Sequence, residues 1–370
     1  MLKIYEMKLQ ELCVKLEEWA PLSYQESYDN SGLLVGDPTM NLTGVLVSLD
    51  CVEDVIDEAI KKGCNVVVSH HPIIFKGLKR LVGEDYVERT VLKAIKNDIA
   101  VYAIHTNLDN IHSGVSKMMA DRLGLKNTQV LAPKKNLLKQ LITYVPKESA
   151  EKVRNALFNC GAGSVGEYSE CNFSVEGEGS FRPNEKSNPV IGEAGERTQV
   201  NEQRIEMIFP IYLESSIVAT LKKTHPYQEV AYSIISLDNS HSYVGSGMIG
   251  ELSESVNELG FLKSLKVKLK SDCVRHTKVL NKNIKKVALC GGAGSFLLKA
   301  ARSAGADIFI TGDFKYHEFF DAENQILIAD IGHYESEQYT KDLIADFLRK
   351  NFPKFAVHLS EVNTNPVNYL

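Results

Sequence analysis

Histidines and carboxylates recur at three places in this chain, each just past an apolar run. The first is Ser69-His70-His71-Pro72, after Val66-Val67-Val68. The second is Asp109, closing His105-Thr106-Asn107-Leu108-Asp109, and the third is His333-Tyr334-Glu335-Ser336-Glu337. Imidazole nitrogens and carboxylate oxygens are the ligands that zinc, iron and manganese accept. Neighbouring residues of an extended strand point to opposite sides, so His70 and His71 suit two adjacent ions better than one. His333 and Glu337 are four apart and share one face of a helix. With Asp109 from a neighbouring strand exit, five ligands and a bridging water would serve two divalent ions roughly 3.5 Å apart, leaving open positions for chemistry. The mixed donor set suits zinc, with iron and manganese as alternatives.

Such a cluster needs elements that carry each ligand to one place. Residues 44–49 read as a buried strand by their β-branched content, 52–62 as a helix with Gly63 as C-cap, and the Val66 run as the next strand. That is a βαβ unit with a parallel sheet. A charged helix over 86–97 leads into a strand over 99–104, and 114–123 is a further helix. The C-terminal part repeats the order: strand 286–290, helix 296–303 ending near Gly305, strand 306–313, a short helical stretch at 317–321 and strand 325–331. Overlaid on the first half, Thr311-Gly312-Asp313 matches Ser69-His70-His71, and 333–337 matches Asp109. This reads as an internal duplication whose halves share one cleft. Ligands leaving strand ends are where open α/β sheets build their sites.

The middle does not repeat. It reads as strand 141–145, helix 150–159, a strand pair around the glycine-rich stretch 176–199, a strand at 205–209, helix 214–223 and a last strand at 230–235. A βαββαβ order of this kind is ferredoxin-like. The expected organisation is therefore a duplicated three-layer α/β core, residues 1–130 and 240–370, interrupted by an α+β ferredoxin-like domain over 138–238.

Weaker signals point less sharply. Gly291-Gly292-Ala293-Gly294-Ser295 opens a helix and could cradle a phosphate, but it lacks the full dinucleotide fingerprint and the Walker lysine, so a tight βα turn is expected. Asp313 and His317 sit at the matching exit of the second half, as partners of the ligands, substrate contacts or proton carriers. His105 is left between core and a place beside the ligands. His225-Pro226-Tyr227-Gln228-Glu229 is as well explained by a turn as by a site. No Ser/His/Asp or Cys/His nucleophile arrangement stands out.

Composition sets limits on partners. The 370 residues are 44% hydrophobic and 24% charged, with a formal charge of −5, so no basic field draws nucleic acid or an anionic membrane. Seven cysteines, odd in number and without a C-x-x-C pair, imply a reducing compartment. Residues 3–18 read as an amphipathic helix rather than a signal peptide, and no apolar run has the length to span a bilayer. A cytoplasmic protein is expected.

Four motifs resemble one family: Ser69-His70-His71-Pro72, His105-Thr106-Asn107-Leu108-Asp109, Gly312-Asp313-Phe314-Lys315-Tyr316-His317 and Gly332-His333-Tyr334-Glu335-Ser336-Glu337. They are similar to the Ngg-interacting-factor-three-like family, whose bacterial members are labelled GTP cyclohydrolase type I, type 2 homologues. Tyr28-Asp29-Asn30-Ser31-Gly32-Leu33-Leu34-Val35-Gly36 resembles its N-terminal loop motif. The resemblance implies two metals on His70, His71, Asp109, His333 and Glu337. It also implies a PII-like or CutA-like inserted module, with Gln228 where the family's H-P-Y-E-E stretch has its first glutamate, and a toroidal homohexamer. The expected activity is metal-dependent hydrolysis of a nucleotide such as GTP, or of a similar small polar substrate. Metal storage, delivery or sensing without turnover is the alternative, as is an oligomeric interaction platform whose metal is structural.

Overall fold

The structure is a computed structural model and describes residues 7–370. Residues 3–6 of the expected N-terminal helix lie outside the described residues; the helix itself, α1, runs Leu9–Trp19 and buries Leu9, Leu12, Cys13 and Leu16 on one face. The chain divides into two compact units, residues 7–133 with 243–370, and 134–242.

In the larger unit the first sheet begins with β1 (Gly32–Val35), β2 (Val45–Ser48), β3 (Val66–Ser69) and β4 (Ala100–Ala103). β2, β3 and β4 are parallel, and β1 lies antiparallel on β4. The crossovers are helical. α2 (Glu53–Lys61) buries Val55, Ile56 and Ala59, and Gly63, at φ +69°, makes the turn past its end. α3 (Tyr86–Lys96) is capped by Asp85, whose side chain accepts the Glu88 N–H. After β4 come the single turn α4 (Thr106–Asp109), α5 (Val115–Leu123) and β5 (Lys126–Lys134).

The smaller unit holds β6 (Leu138–Pro146), α6 (Ala150–Asn159), β7 (Phe173–Phe181), β8 (Thr198–Pro210), α7 (Glu214–Thr224) and β9 (Tyr232–Leu237). Its antiparallel sheet has the order β7-β8-β6-β9, which is βαββαβ with the first and third strands central. Two details differ from expectation. The strand expected at 205–209 is the second half of the single long β8, because Leu138–Pro146 pairs along Glu202–Pro210 while Phe173–Phe181 pairs along Thr198–Glu206. The glycine-rich stretch is also strand as far as Phe181, so the connecting loop is only 182–197.

The larger unit resumes with β10 (His241–Asn257), α8 (Glu258–Leu269), β11 (Arg275–His276), β12 (Asn283–Ala293), α9 (Leu298–Ser303), β13 (Ile308–Gly312), β14 (Leu327–Asp330), α10 (His333–Glu337), α11 (Thr340–Asn351) and β15 (Val357–Leu359). The second sheet has the order β11-β14-β13-β12-β10-β5 and the first β1-β4-β3-β2-β15. In both, three successive parallel strands carry an antiparallel strand beside the third, so the two halves share one arrangement. Side chains of the second sheet alternate between two apolar clusters. Val287, Leu289, Ile308 and Ile310 pack towards α5 and α8, while Ala288, Cys290, Phe309 and Ile328 pack towards α9. Burial on both faces is what makes these strands continuous apolar runs, each large side chain worth roughly 1.5–3 kcal/mol. Among the described residues no helix is long and apolar enough to cross a membrane.

Candidate metal centre

The C-terminal ends of the parallel strands supply the site. Past β3, the His70 and His71 amides keep pairing with Ser48 and Leu49 carbonyls, and the Ser69 hydroxyl donates to the His71 carbonyl at 2.8 Å. The backbone is thereby fixed while the two rings diverge. His70 is buried and its Nδ1 donates to the Ile104 carbonyl at 2.8 Å, which turns Nε2 inward. Asp109 ends α4, whose turn is tied to the N-terminal segment by Asn107 Nδ2 donating to the Ala20 carbonyl at 2.6 Å. α10 is preceded by Gly332, at φ +92°, whose N–H donates to Asp330 at 3.0 Å. Close approach at Gly292 shapes the floor: a Cβ there would lie 2.5 Å from Glu337 Oε1.

All five expected ligands meet. His71, His333 and Glu337 each bring a ligand atom within 4.8 Å of the others, and so do His70, Asp109 and Glu337. Glu337 belongs to both groups: Oε2 is 3.0 Å from Nε2 of His71 and of His333, and Oε1 is 3.8 Å from His70 Nε2. His70 Nε2 and Asp109 Oδ1 are buried, 3.6 Å apart, and neither has a hydrogen-bond partner. Buried polar atoms are seldom left so. A nitrogen and a carboxylate oxygen aimed at one point, beside a second carboxylate, are the environment a cation satisfies. These residues fit a metal ion.

Further carboxylates hold the rings. Asp50, one residue beyond Leu49 at the exit of β2, lies 2.7 Å from His71 Nδ1, and Asp313 lies 2.7 Å from His333 Nδ1. Asp29 lies 2.7 Å from His105 Nδ1 and also accepts the Thr106 N–H and hydroxyl. A ring nitrogen of His105 comes within 4.8 Å of those of His70 and His71. Carboxylate–histidine pairs of this kind fix the tautomer of a ligating ring.

Charge in the cluster is shared out by protons. Burial and the Glu337 charge raise the Asp109 carboxyl to about 7. Burial works against a charged His71, but the Asp50 and Glu337 carboxylates outweigh it and lift the ring to about 10. Glu337 raises His333 to about 11 against burial, with Asp313 assisting. Burial would raise Glu337, yet the His333 charge and hydrogen bonds from the histidines hold it well below the ordinary carboxylate range. His71 Nε2 is hydrogen-bonded to Glu337, His333 Nε2 lies 3.0 Å from the same carboxylate oxygen, and Asp50, Asp313 and Glu337 together offset the charge of the two rings.

Asp313 is therefore a partner of a candidate ligand, and not itself in either group. His317 stands exposed on a 3₁₀ turn over Tyr316–Ala322, its ring against Tyr316 and Phe320. His225 is a buried turn residue, bonded to the Tyr144 carbonyl and the Tyr227 N–H. The 291–295 run is a strand-to-helix turn whose Gly292 and Gly294 amides donate to Ser336 and Thr311, so neither faces outward for a phosphate. Sequence reasoning missed Asp50, and it noted Asp29 without a role. Asp50 stands at a strand exit like Asp313, and that position was its only signal. A cavity of about 610 Å³ opens beside His71, walled by Asp50, Glu53, Asp54, Tyr86 and Thr364.

Fold and site together define an α/β protein in which histidines and carboxylates from both halves form groups that could bind a metal ion. The chain belongs to the Duf34/NIF3 (NGG1p interacting factor 3) family, which it matches over residues 7–366. Relatives of near-equal length are the GTP cyclohydrolase 1 type 2 homolog of Bacillus subtilis (strain 168), 40% identical over 98% of each chain, and that of Staphylococcus epidermidis, 36% identical over 98% of this chain and all of the relative. Among solved structures, the Bacillus cereus protein related to NIF3 superposes with a TM-score of 0.85 at 36% identity, covering 98% of this chain and 99% of that one.

Proposed function

We propose that this protein is a metal-dependent hydrolase of a nucleotide or similar small polar substrate, with two divalent ions, zinc foremost, on the His70/Asp109/Glu337 and His71/His333/Glu337 groups. The observation that carries this reading is the facing pair of partnerless buried atoms, His70 Nε2 and Asp109 Oδ1, with Glu337 shared between the two groups. When bound, the ions would supply Lewis acidity and a water ionised near neutral pH. The chain's own residues do the rest. Asp50 and Asp313 hold the His71 and His333 rings with Nε2 facing Glu337. The Asp29–His105 pair stands next to the ligand rings, where His105 can take up or return a proton while Asp29 steadies it. The cavity beside His71 admits a small substrate and, with its carboxylate walls, favours hydrogen-bond donors on the part furthest from the ions. Cytoplasmic location and assembly into a homohexamer accompany this reading on family resemblance.

The test is turnover. Purified protein loaded separately with zinc, manganese and iron is assayed against nucleotides, GTP first because the relatives' name contains it. Product formation that disappears with chelator and with His70→Ala supports the proposal. Absence of turnover on a broad nucleotide and phosphoester panel, together with transfer of metal to an acceptor protein, would replace it with metal handling.

A further inference from the structure

A second cavity, of about 530 Å³, opens on the other side of β14, between β11 and the 3₁₀ turn Tyr316–Ala322. None of its lining residues belongs to the metal-ligand groups. Its wall carries two basic side chains against one acidic one. Arg275 and Lys278 line it, and the one acidic side chain, Glu323, is paired from outside by Arg302 at 2.6 Å. Arg275 is held in place: it donates to Asp330 and to the Phe314 carbonyl, and its guanidinium lies 5.6 Å from the Phe319 ring centre. Lys278 makes no ion pair among the described residues. The opposite wall is aromatic. Tyr316 and Phe320 are 73% and 66% exposed and meet edge to face at 5.7 Å; His317 packs against both, near-parallel to Phe320, and the rings remain exposed on their outer sides.

We infer that this cavity binds a nucleoside phosphate, base against Tyr316 and Phe320 and phosphate on Lys278 and the outer edge of the Arg275 guanidinium. A fixed guanidinium and a free ammonium recognise phosphate, exposed rings stack on any base, and the volume lies within the range of small-ligand sites. The cavity beside His71 offers the reverse, with Asp50, Glu53 and Asp54 on its wall and no lysine or arginine. Of these two cavities, the Arg275 one is the one whose wall suits an anion not held by metal. The inference does not require the metal centre to be hydrolytic.

Titration calorimetry of the zinc-loaded full chain with ADP is the test, alongside Lys278→Glu and Phe320→Ala, both exposed substitutions. Each should weaken ADP binding by about tenfold or more, with zinc content unchanged, and chelator-treated protein should retain this binding. No ADP binding by the wild-type chain overturns the inference, as does binding that both variants keep. Binding that disappears with chelator puts the nucleotide at the metal centre instead. Loss of an oligomer in Phe320→Ala with ADP affinity intact makes the aromatic wall an interface between copies, which also overturns it.

Discussion

Asp50 Oδ1 lies 2.7 Å from His71 Nδ1, and the opposite nitrogen of the same ring lies 3.0 Å from Glu337. The first contact decides how the second is made: with Nδ1 engaged, Nε2 is the nitrogen offered to the site. Asp50→Asn keeps the shape but removes the charge that orients the ring. Zinc affinity, read by competition with a chromogenic chelator, should fall about 10- to 100-fold while the folded state persists. Unchanged affinity would remove Asp50 from the site.

Glu337 and Asp313 are predicted to differ in kind. Glu337 is shared by both groups, whereas Asp313 reaches the cluster only through His333. Elemental analysis should find Glu337→Ala depleted of both ions and Asp313→Ala still carrying two, more weakly held. Equal metal content in the two variants would contradict a shared carboxylate.

Protons and metal compete for the same nitrogens, and this sets a pH dependence. In the metal-free fold His71 and His333 keep protons up to about 10 and about 11, whereas in the unfolded chain an imidazole gives its proton up near 6.5. Folded protein thus binds more protons than unfolded across that window. The contribution to metal-free stability is complete below about 6.5 and is lost as pH rises through the folded values. Zinc must displace those protons, so the rise in melting temperature on adding zinc should grow between about pH 6 and pH 8. A zinc effect that shrinks over that range would refute the titration scheme.

Gly292 tests the packing of the floor. Alanine there must hold φ +62°, which costs about 1–2 kcal/mol, and its Cβ would press on Glu337 Oε1. Gly292→Ala should lower the melting temperature and also weaken metal binding, although the residue offers no ligand atom. Lowered stability with full metal affinity would mean that Glu337 gives way freely.

The parts of this fold that were legible in the sequence are those where burial is two-sided. β2, β3, β13 and β14 are short apolar runs, and just beyond their exits stand Asp50, His70, Asp313 and His333. Together with Asp109 past β4, the candidate ligands follow from those exits. β10 was not legible, because Gly245, Gly247 and Gly250 look like loop. In the structure they let the strand pass close to the Ala132 and Leu289 carbonyls and to Lys126. β11 and β15 are two and three residues long and carry no periodicity. α8 does display a helical spacing at Phe261, Leu262, Leu265 and Leu269, and was overlooked rather than hidden. Asp50 and Asp29 stayed unread for another reason. Each works through a histidine 21 or 76 residues away, and no local pattern encodes such a pairing.

β15 comes from the far end of the chain, yet it lies parallel on β2 and completes the first sheet. Just beyond it, Ser360 pairs with Val47 and Glu58, and Thr364 donates to the Asp50 carboxylate that orients His71. Synthesis from the N-terminus therefore produces β2, β3 and the His70–His71 pair some three hundred residues before the strand that closes their sheet edge. Until then that edge is open backbone, able to pair with whatever strand comes near. Folding of the larger unit waits on a contact of very long sequence separation, which makes it slow and leaves the nascent first half exposed to mispairing. A ribosome that stops between residues 337 and 357 releases a chain with all five candidate ligands and an unclosed sheet.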